Sequence, residues 1–142
     1  MQKLEELIAA LESAKGPSRE LDFWLSVRVW EISEETDAAL QVEADEIAIG
    51  GRCAAKPFTS SIDAAVALCE RALPGWRIEN LCEWDAEILR DQGPWMCDLV
   101  QRRLEFFDRQ SAKCSHAPTA ALAILIATLR AKLSQEKNNA DK

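Results

Sequence analysis

Cys114 and His116 come closest, of all the residues in this sequence, to a catalytic or metal-binding pair. A cysteine nucleophile needs a base beside it, and His116 is the one histidine of the chain. No orienting carboxylate is evident from the sequence, and no CxxC or HxxxH pair provides the ligand spacing of a structural zinc site. We therefore predict no catalytic residues, no metal site, no cofactor and no enzymatic activity.

Hydroxyl side chains mark the start of one predicted helix. The glycine-rich patterns GxGxxG and GxxxxGK, which cradle phosphates, do not occur in the sequence. Thr59, Ser60 and Ser61 precede an apolar stripe, and such groups at a helix start either cap the helix or bind an anion. One hypothesis is therefore a nucleotide-like ligand at this helix start, with Arg19 or Arg102 on a phosphate and a tryptophan on the base.

Acidic residues dominate the charge of the chain. Its 24 Asp and Glu against 17 Lys and Arg leave a formal net charge of -7. Such a chain is poorly suited to neutralise nucleic-acid phosphates or to dock on anionic lipid, so we expect neither nucleic acid nor a membrane as a partner. The stretch 31–49 holds seven acids and no base, and it either keeps the protein in solution or faces a basic partner surface. The candidate partner-binding acids are Glu34, Glu35, Asp37, Glu43, Asp45 and Glu46.

Tryptophan is frequent, with five copies in a chain that has no tyrosine. Two of the five fall at positions typical of a core. Trp84 and Trp95 flank the connection between two predicted strands, and Arg102 and Arg103 follow in sequence. Tryptophan and arginine are enriched in interface hot spots, so these four residues join the candidate partner-binding set, with core packing as the alternative.

Four helices are predicted from apolar periodicity, at residues 2–15, 18–30, 60–73 and 118–134. Gly16-Pro17 ends the first helix, and Ser18 and Ser60 are the expected N-caps of the second and third. The last helix is apolar on most sides and should be buried. The stripe predicted to be buried on the third helix comprises Ile62, Ala65, Val66, Cys69 and Leu73.

Strands are predicted at 76–84, 95–101 and 104–110. In the first, Trp76, Ile78, Cys82 and Trp84 should point to one face and the charged residues to the other. Arg102-Arg103 is a poor two-residue turn, so one long bent strand is the alternative to a hairpin. Residues 111–117 are expected to form a loop, and 39–49 either a short strand or irregular structure.

The order of elements predicts an α+β fold in which an antiparallel β-meander is covered by helices, an α/β/α sandwich if both faces are covered. Residues 1–135 should form a single domain, and 136–142 a disordered tail. The five cysteines are odd in number and widely spaced, no secretory signal is predicted, and we expect free thiols in the reducing cytoplasm. Cys69 and Cys82 are predicted to lie on core faces.

Three segments also resemble a known family. They are Gly16-Pro17-Ser18-Arg19-Glu20-Leu21-Asp22, then Phe58 to Ala65 running on to Pro74-Gly75-Trp76, and Pro118 to Ala123 running on to Leu129-Arg130-Ala131. In this order and spacing the chain, from Leu4 to Leu133, resembles the phage ABA sandwich domain of small phage and prophage proteins. The resemblance implies an α/β/α sandwich and a phage product made in the bacterial cytoplasm. The family has no established activity, so it supplies no catalytic residues.

Two functions remain open on the sequence. The first is a non-enzymatic phage accessory protein that binds a host protein with a basic surface, with inhibition of a bacterial defence complex as one setting. The alternative is a ligand-binding module, in the form of a homo-oligomer, that sequesters a small nucleotide-like signal at Thr59, Ser60 and Ser61.

Overall fold

The computed structural model describes residues 4–30, 56–83, 93–103 and 106–140, and for residues 30, 102, 103, 106–114 and 138–140 it describes the backbone. Helix α1 spans Leu4–Ser13 and buries Leu7, Ile8 and Leu11, as its periodicity predicts. Helix α2 spans Arg19–Leu25. Its N-cap is Ser18, whose side chain accepts a hydrogen bond from the backbone N–H of Leu21.

The second predicted helix changes geometry before its end. After Leu25 the chain continues as a π-helical turn, Ser26–Trp30, rather than as an α-helix to residue 30. Within it the Arg28 guanidinium lies over the Trp24 ring, 5.7 Å from the ring centre. A π-helix is closed by i→i+5 hydrogen bonds instead of i→i+4, and five residues are too few for apolar periodicity to distinguish the two geometries.

Helix α3 spans Ile62–Ala72 and begins later than predicted. Its N-cap is Ser61 and not Ser60, because residues 57–61 form a tight turn first. In that turn the N–H groups of Ser60 and Ser61 both donate to the Pro57 carbonyl, at 3.2 and 3.0 Å.

Three antiparallel strands follow in the spatial order of the sequence: β1 (Trp76–Glu83), β2 (Trp95–Arg103) and β3 (Phe106–Ala117). Arg102 and Arg103 pair with Phe107 and Phe106, so the segment is two strands and not one bent strand. The predicted loop at 111–117 is wrong, because β3 continues through Ala117. Ser115, near the end of this strand, is buried, and its hydroxyl donates to the Ala123 carbonyl of the last helix.

The first strand does not alternate strictly. Its pairing with β2 shifts register between Ile78 and Asn80, an irregularity of the β-bulge type. Leu81, paired with the fully buried Cys97, therefore takes the core-facing position. Cys82 is placed on the opposite face, which corrects the prediction that it faces the core.

Helix α4, Ala120–Ala140, is the centre of the fold. It packs against all three strands and against α1 and α3, and residues 121–129 are buried on every side, as predicted. It also continues beyond the predicted end at 134, so residues 136–140 are helical and not a disordered tail. No Gly or Pro interrupts this stretch, and Lys137 lies 3.8 Å from Glu5 of α1.

The α+β class and the antiparallel meander covered by helices are confirmed. Helices α3 and α4 pack together and both contact the sheet. Helical cover on the second face, which would complete the α/β/α sandwich, stays a prediction. None of the helices within the described ranges combines the length and apolar character needed to cross a bilayer. The stretch 39–49 lies outside the described residues.

Candidate functional site

A groove opens where several chain segments start or turn. It has a volume of about 280 Å³ and is open to solvent. Pro17 precedes α2, Ile62 is the first residue of α3, Trp95 is the first residue of β2, and Pro118 precedes α4. All four line the groove, which is therefore shared by three helices and the sheet.

Gly93 brings the start of β2 against the end of β3. Its φ is +95°, a left-handed conformation that residues with a Cβ rarely adopt. A Cβ at this position would lie 2.4 Å from the carbonyl carbon of Ala117. Since Trp95 pairs with Ala117 in the sheet, this close approach sets Trp95 beside Pro118 in the groove.

A buried polar contact holds the groove wall at Thr59. The Asp22 carboxylate is 1% exposed. Its Oδ1 accepts from the backbone N–H of Thr59 at 2.8 Å and from the Thr59 hydroxyl at 2.7 Å. Its Oδ2 accepts from the Arg19 guanidinium at 2.8 Å. A buried carboxylate is tolerated because its oxygens are hydrogen-bonded in this way.

Thr59 also joins the start of α2. The Ser18 backbone N–H donates to the Thr59 hydroxyl oxygen at 2.8 Å, and that hydroxyl lies 3.1 Å from the Ser18 carbonyl oxygen. The turn before α3 and the cap of α2 are thus one hydrogen-bonded unit. Thr59 and Arg19 belong to this internal contact, so a ligand that used them would have to replace its hydrogen bonds.

The other hydroxyls of the groove, Ser60 and Thr119, and that of the adjoining Ser61 differ in availability. Ser61 caps α3 by accepting from the Ala64 N–H at 3.2 Å, and Thr119 caps α4 by accepting from the Leu122 N–H at 3.2 Å. Ser60 is exposed, and its hydroxyl makes a long contact of 3.4 Å with the Pro57 carbonyl. Of the predicted ligand-binding hydroxyls, Ser60 is the one that faces solvent in the groove.

Ile62 departs most from its predicted role. It was expected in the buried stripe of α3, but it is 47% exposed and is the exposed large hydrophobic side chain within the described ranges. The cause is its position: as the first residue of α3 it precedes the turn that packs on α4. An amphipathic pattern alone does not reveal where a helix leaves the core.

The predicted partner-binding residues are only partly placed. Trp95 is half-buried and lines the groove. Arg102 and Arg103 end β2, and only their backbone is described. The others lie outside the described residues, and they are Glu34, Glu35, Asp37, Glu43, Asp45, Glu46 and Trp84.

Cys114 and His116 lie two residues apart on β3, where the register sets Cys114 opposite Asp98 and His116 opposite Met96. The carboxylate of Asp98 accepts from the Asn80 amide at 3.3 Å. Asp98 was missed on the sequence because its proximity depends on strand register. Among the described side chains, no three His, Cys, Asp or Glu residues are grouped as metal ligands.

Cys69 and Cys97 are buried free thiols, and Cys82 is partly exposed. Burial raises the pKa of Cys69 above its ordinary value, and a hydrogen bond with Thr128 offsets this in part. A raised pKa keeps this thiol protonated and unreactive at neutral pH.

Comparison with known proteins gives this site no precedent. No family model matches the chain, and no similarity to a curated protein or to a solved structure is found. The resemblance to the phage ABA sandwich domain therefore stays a prediction based on the three sequence segments.

Proposed function

We propose that this chain is a non-enzymatic interaction protein that binds another protein with a basic surface. The observation that carries the proposal is the character of the groove. Its lining is largely apolar, with Ile62, Trp95 and two prolines. Thr59 and Thr119 use their hydroxyls internally, which leaves Ser60 as the exposed hydroxyl of the lining. Protein partners cover such apolar surface with their own side chains.

The charge of the chain supports a basic partner. The net charge is -7, and opposite charge on a partner would steer its approach and suppress binding of acidic proteins. The acidic stretch 31–49 is the densest source of this charge in the sequence. The resemblance to a phage family adds a bacterial host protein as the partner, and inhibition of a defence complex as the consequence of binding.

A second candidate function is supported by the proximity of two predicted sites. Ser60 was predicted for a nucleotide-like ligand and Trp95 for a partner, and both line the same groove. A base stacked on Trp95 with a polar group at Ser60 would use that arrangement. A ligand that binds the native state must raise the melting temperature, so a thermal-shift series with nucleotides tests this candidate directly.

The two candidates are separated by running that series beside a capture experiment. Tagged protein is incubated with bacterial lysate, and captured proteins are identified by mass spectrometry. The interaction proposal expects a discrete set of basic proteins that is lost as salt rises, and no nucleotide shift. A nucleotide shift without any salt-sensitive capture would favour the ligand-binding function instead.

A further inference from the structure

We propose that the sheet binds one soft monovalent metal ion, Cu(I), through Cys82, Met96 and His116, which form a row across its three strands. This row is separate from the groove, and metal binding does not depend on the proposed interaction function. The sequence predicts no metal site because the row exists only once the strands pair in this register.

Strand pairing places the three side chains next to one another. Cys82 of β1 pairs with Met96 of β2, and Met96 pairs with His116 of β3. Residues directly opposite each other in an antiparallel sheet lie on the same face, with their Cβ atoms about 4.5–5.5 Å apart. Met96 is therefore the central member of the row, with a thiol on one side and an imidazole on the other.

The row lies on the face of the sheet that points away from the core. Cys97, next to Met96 in the chain, is fully buried in the core, and Ser115 and Ala117 on either side of His116 are each 1% exposed. Since alternate residues of a strand face opposite sides, the three members of the row share the other face. All three are only partly buried, so each side chain is in part open to solvent.

The donor atoms of the row select the metal. Thiolate and thioether sulfur are soft ligands that favour Cu(I), and imidazole suits copper as well as zinc. Zinc takes thiolate, imidazole and carboxylate ligands, and thioether sulfur is not among its usual ones. Copper is therefore the ion that all three side chains fit. On binding, the Cys82 thiol releases its proton to solvent and the ion keeps its oxidation state.

The next row across the sheet has a different chemistry. There Asn80 of β1 pairs with Asp98 of β2, and the Asn80 amide donates to the Asp98 carboxylate at 3.3 Å. A carboxylate is a hard ligand that suits Mg²⁺ or Ca²⁺ better than Cu(I). Among the described side chains, His, Cys, Asp and Glu form no group of three metal ligands. The thioether of Met96 is thus the donor that completes the site.

The methyl resonances of methionine test this site directly, because the chain has two methionines, Met1 and Met96. Protein labelled with carbon-13 at the methionine methyl groups is titrated without oxygen with Ag(I), a soft ion of the same charge as Cu(I) that is not readily oxidised. We expect the Met96 resonance to shift and to saturate at one equivalent, while the Met1 resonance stays in place. Cys82→Ala should abolish the shift. Cys69→Ala removes a buried thiol on α3 and is the matched control, which should keep the shift.

Competition with a chromogenic Cu(I) chelator measures the contribution of the thioether. Met96→Leu conserves volume and leaves every thiol in place, so it should fold and keep any binding that thiols alone provide. We expect at least roughly tenfold weaker Cu(I) binding for this variant, which corresponds to about 1.4 kcal/mol. His116→Gln should also weaken binding, since it removes the imidazole.

Three results would each overturn the inference. They are Ag(I) binding without a shift of the Met96 resonance, a shift that persists in Cys82→Ala, and equal Cu(I) affinity of Met96→Leu and the wild type. A wild type that binds no Ag(I) would overturn it as well. The wild-type titration needs no variant, so it remains decisive if one of the substitutions prevents folding.

Discussion

The buried contact between Asp22 and Thr59 positions one wall of the groove. The carboxylate is almost fully enclosed, yet both of its oxygens accept hydrogen bonds at 2.7 to 2.8 Å. A buried charge without such partners would cost several kcal/mol, about the size of a domain's net stability. The contact therefore holds the turn at Thr59, and with it the neighbouring groove residues Ser60 and Ile62, in place.

Replacing Thr59 by Val should destabilise the protein. The substitution conserves shape but removes the hydroxyl that Asp22 accepts from, and we expect the free energy of unfolding to fall by about 1–3 kcal/mol. Ser60→Ala, one residue away and exposed, is the control and should change it by less than about 0.5 kcal/mol. Urea denaturation of the two variants measures both. Equal stability of Thr59→Val and the wild type would show that the contact does not stabilise the fold.

Gly93 should tolerate no larger residue. Gly93→Ala forces a Cβ into a left-handed conformation and against the Ala117 backbone, so the cost should exceed the roughly 1–2 kcal/mol of the conformation alone. Gly16→Ala is the matched control, because a Cβ there meets nothing within 4 Å. Thermal unfolding should show a clear drop in melting temperature for the first and little change for the second. A wild-type melting temperature for Gly93→Ala would contradict the close approach.

At the scale of elements, the bulge in β1 sets the relative reactivity of Cys82 among the three cysteines whose side chains are described. It turns Leu81 toward the core and leaves Cys82 partly exposed, while Cys69 on α3 is buried and its pKa is raised by that burial. Native protein treated with a maleimide should therefore be modified at Cys82 well before Cys69, as read by mass spectrometry of peptides. Because burial raises the pKa of Cys69 and suppresses its thiolate, the labelling of Cys69 should become faster as the pH is raised. Labelling of Cys69 first would show that α3 opens in the native state.

Most elements were predictable because each depends on local physics. The stripe of α1, the cap at Ser18 and the apolar surface of α4 follow from periodicity and capping, which act within one or two turns. The extension of β3 over 111–117 was missed because Ser115 is satisfied by a carbonyl of α4, a contact made only after folding. The bulge after Ile78 was missed for the same reason, since register is a property of paired strands.

The candidate site was predicted only in fragments. Trp95 and Ser60 were singled out for different functions, and the fold brings them into one groove. Pro17, Ile62 and Pro118 were interpreted as part of a helix stop, a buried residue and the start of the last helix, which are local roles. Their common position depends on how three helix starts are arranged around the sheet. No pattern within a single element carries that information.

At the scale of the whole molecule, the acidic charge is the feature that folding does not require. Seven acids in 31–49 without a base repel one another by a few tenths of a kcal/mol per close pair if they are exposed, by analogy with like-charged neighbours on a helix. A surface that is slightly unfavourable in the free protein can be stabilised by a basic partner. Reversing Glu34, Glu35 and Asp37 to Lys should therefore leave the melting temperature unchanged or raise it, as calorimetry can measure.

The measurement that tests the interaction function most directly is the amount of each partner that tagged protein captures from bacterial lysate. It compares the wild type with the triple variant that combines Glu34→Lys, Glu35→Lys and Asp37→Lys, at low and at high salt. We predict that the variant captures much less of the basic partner at low salt, and that the difference shrinks as salt screens the wild-type interaction. Equal recovery of the same partners by both proteins, at every salt concentration, would contradict the proposal that acidic charge recruits the partner.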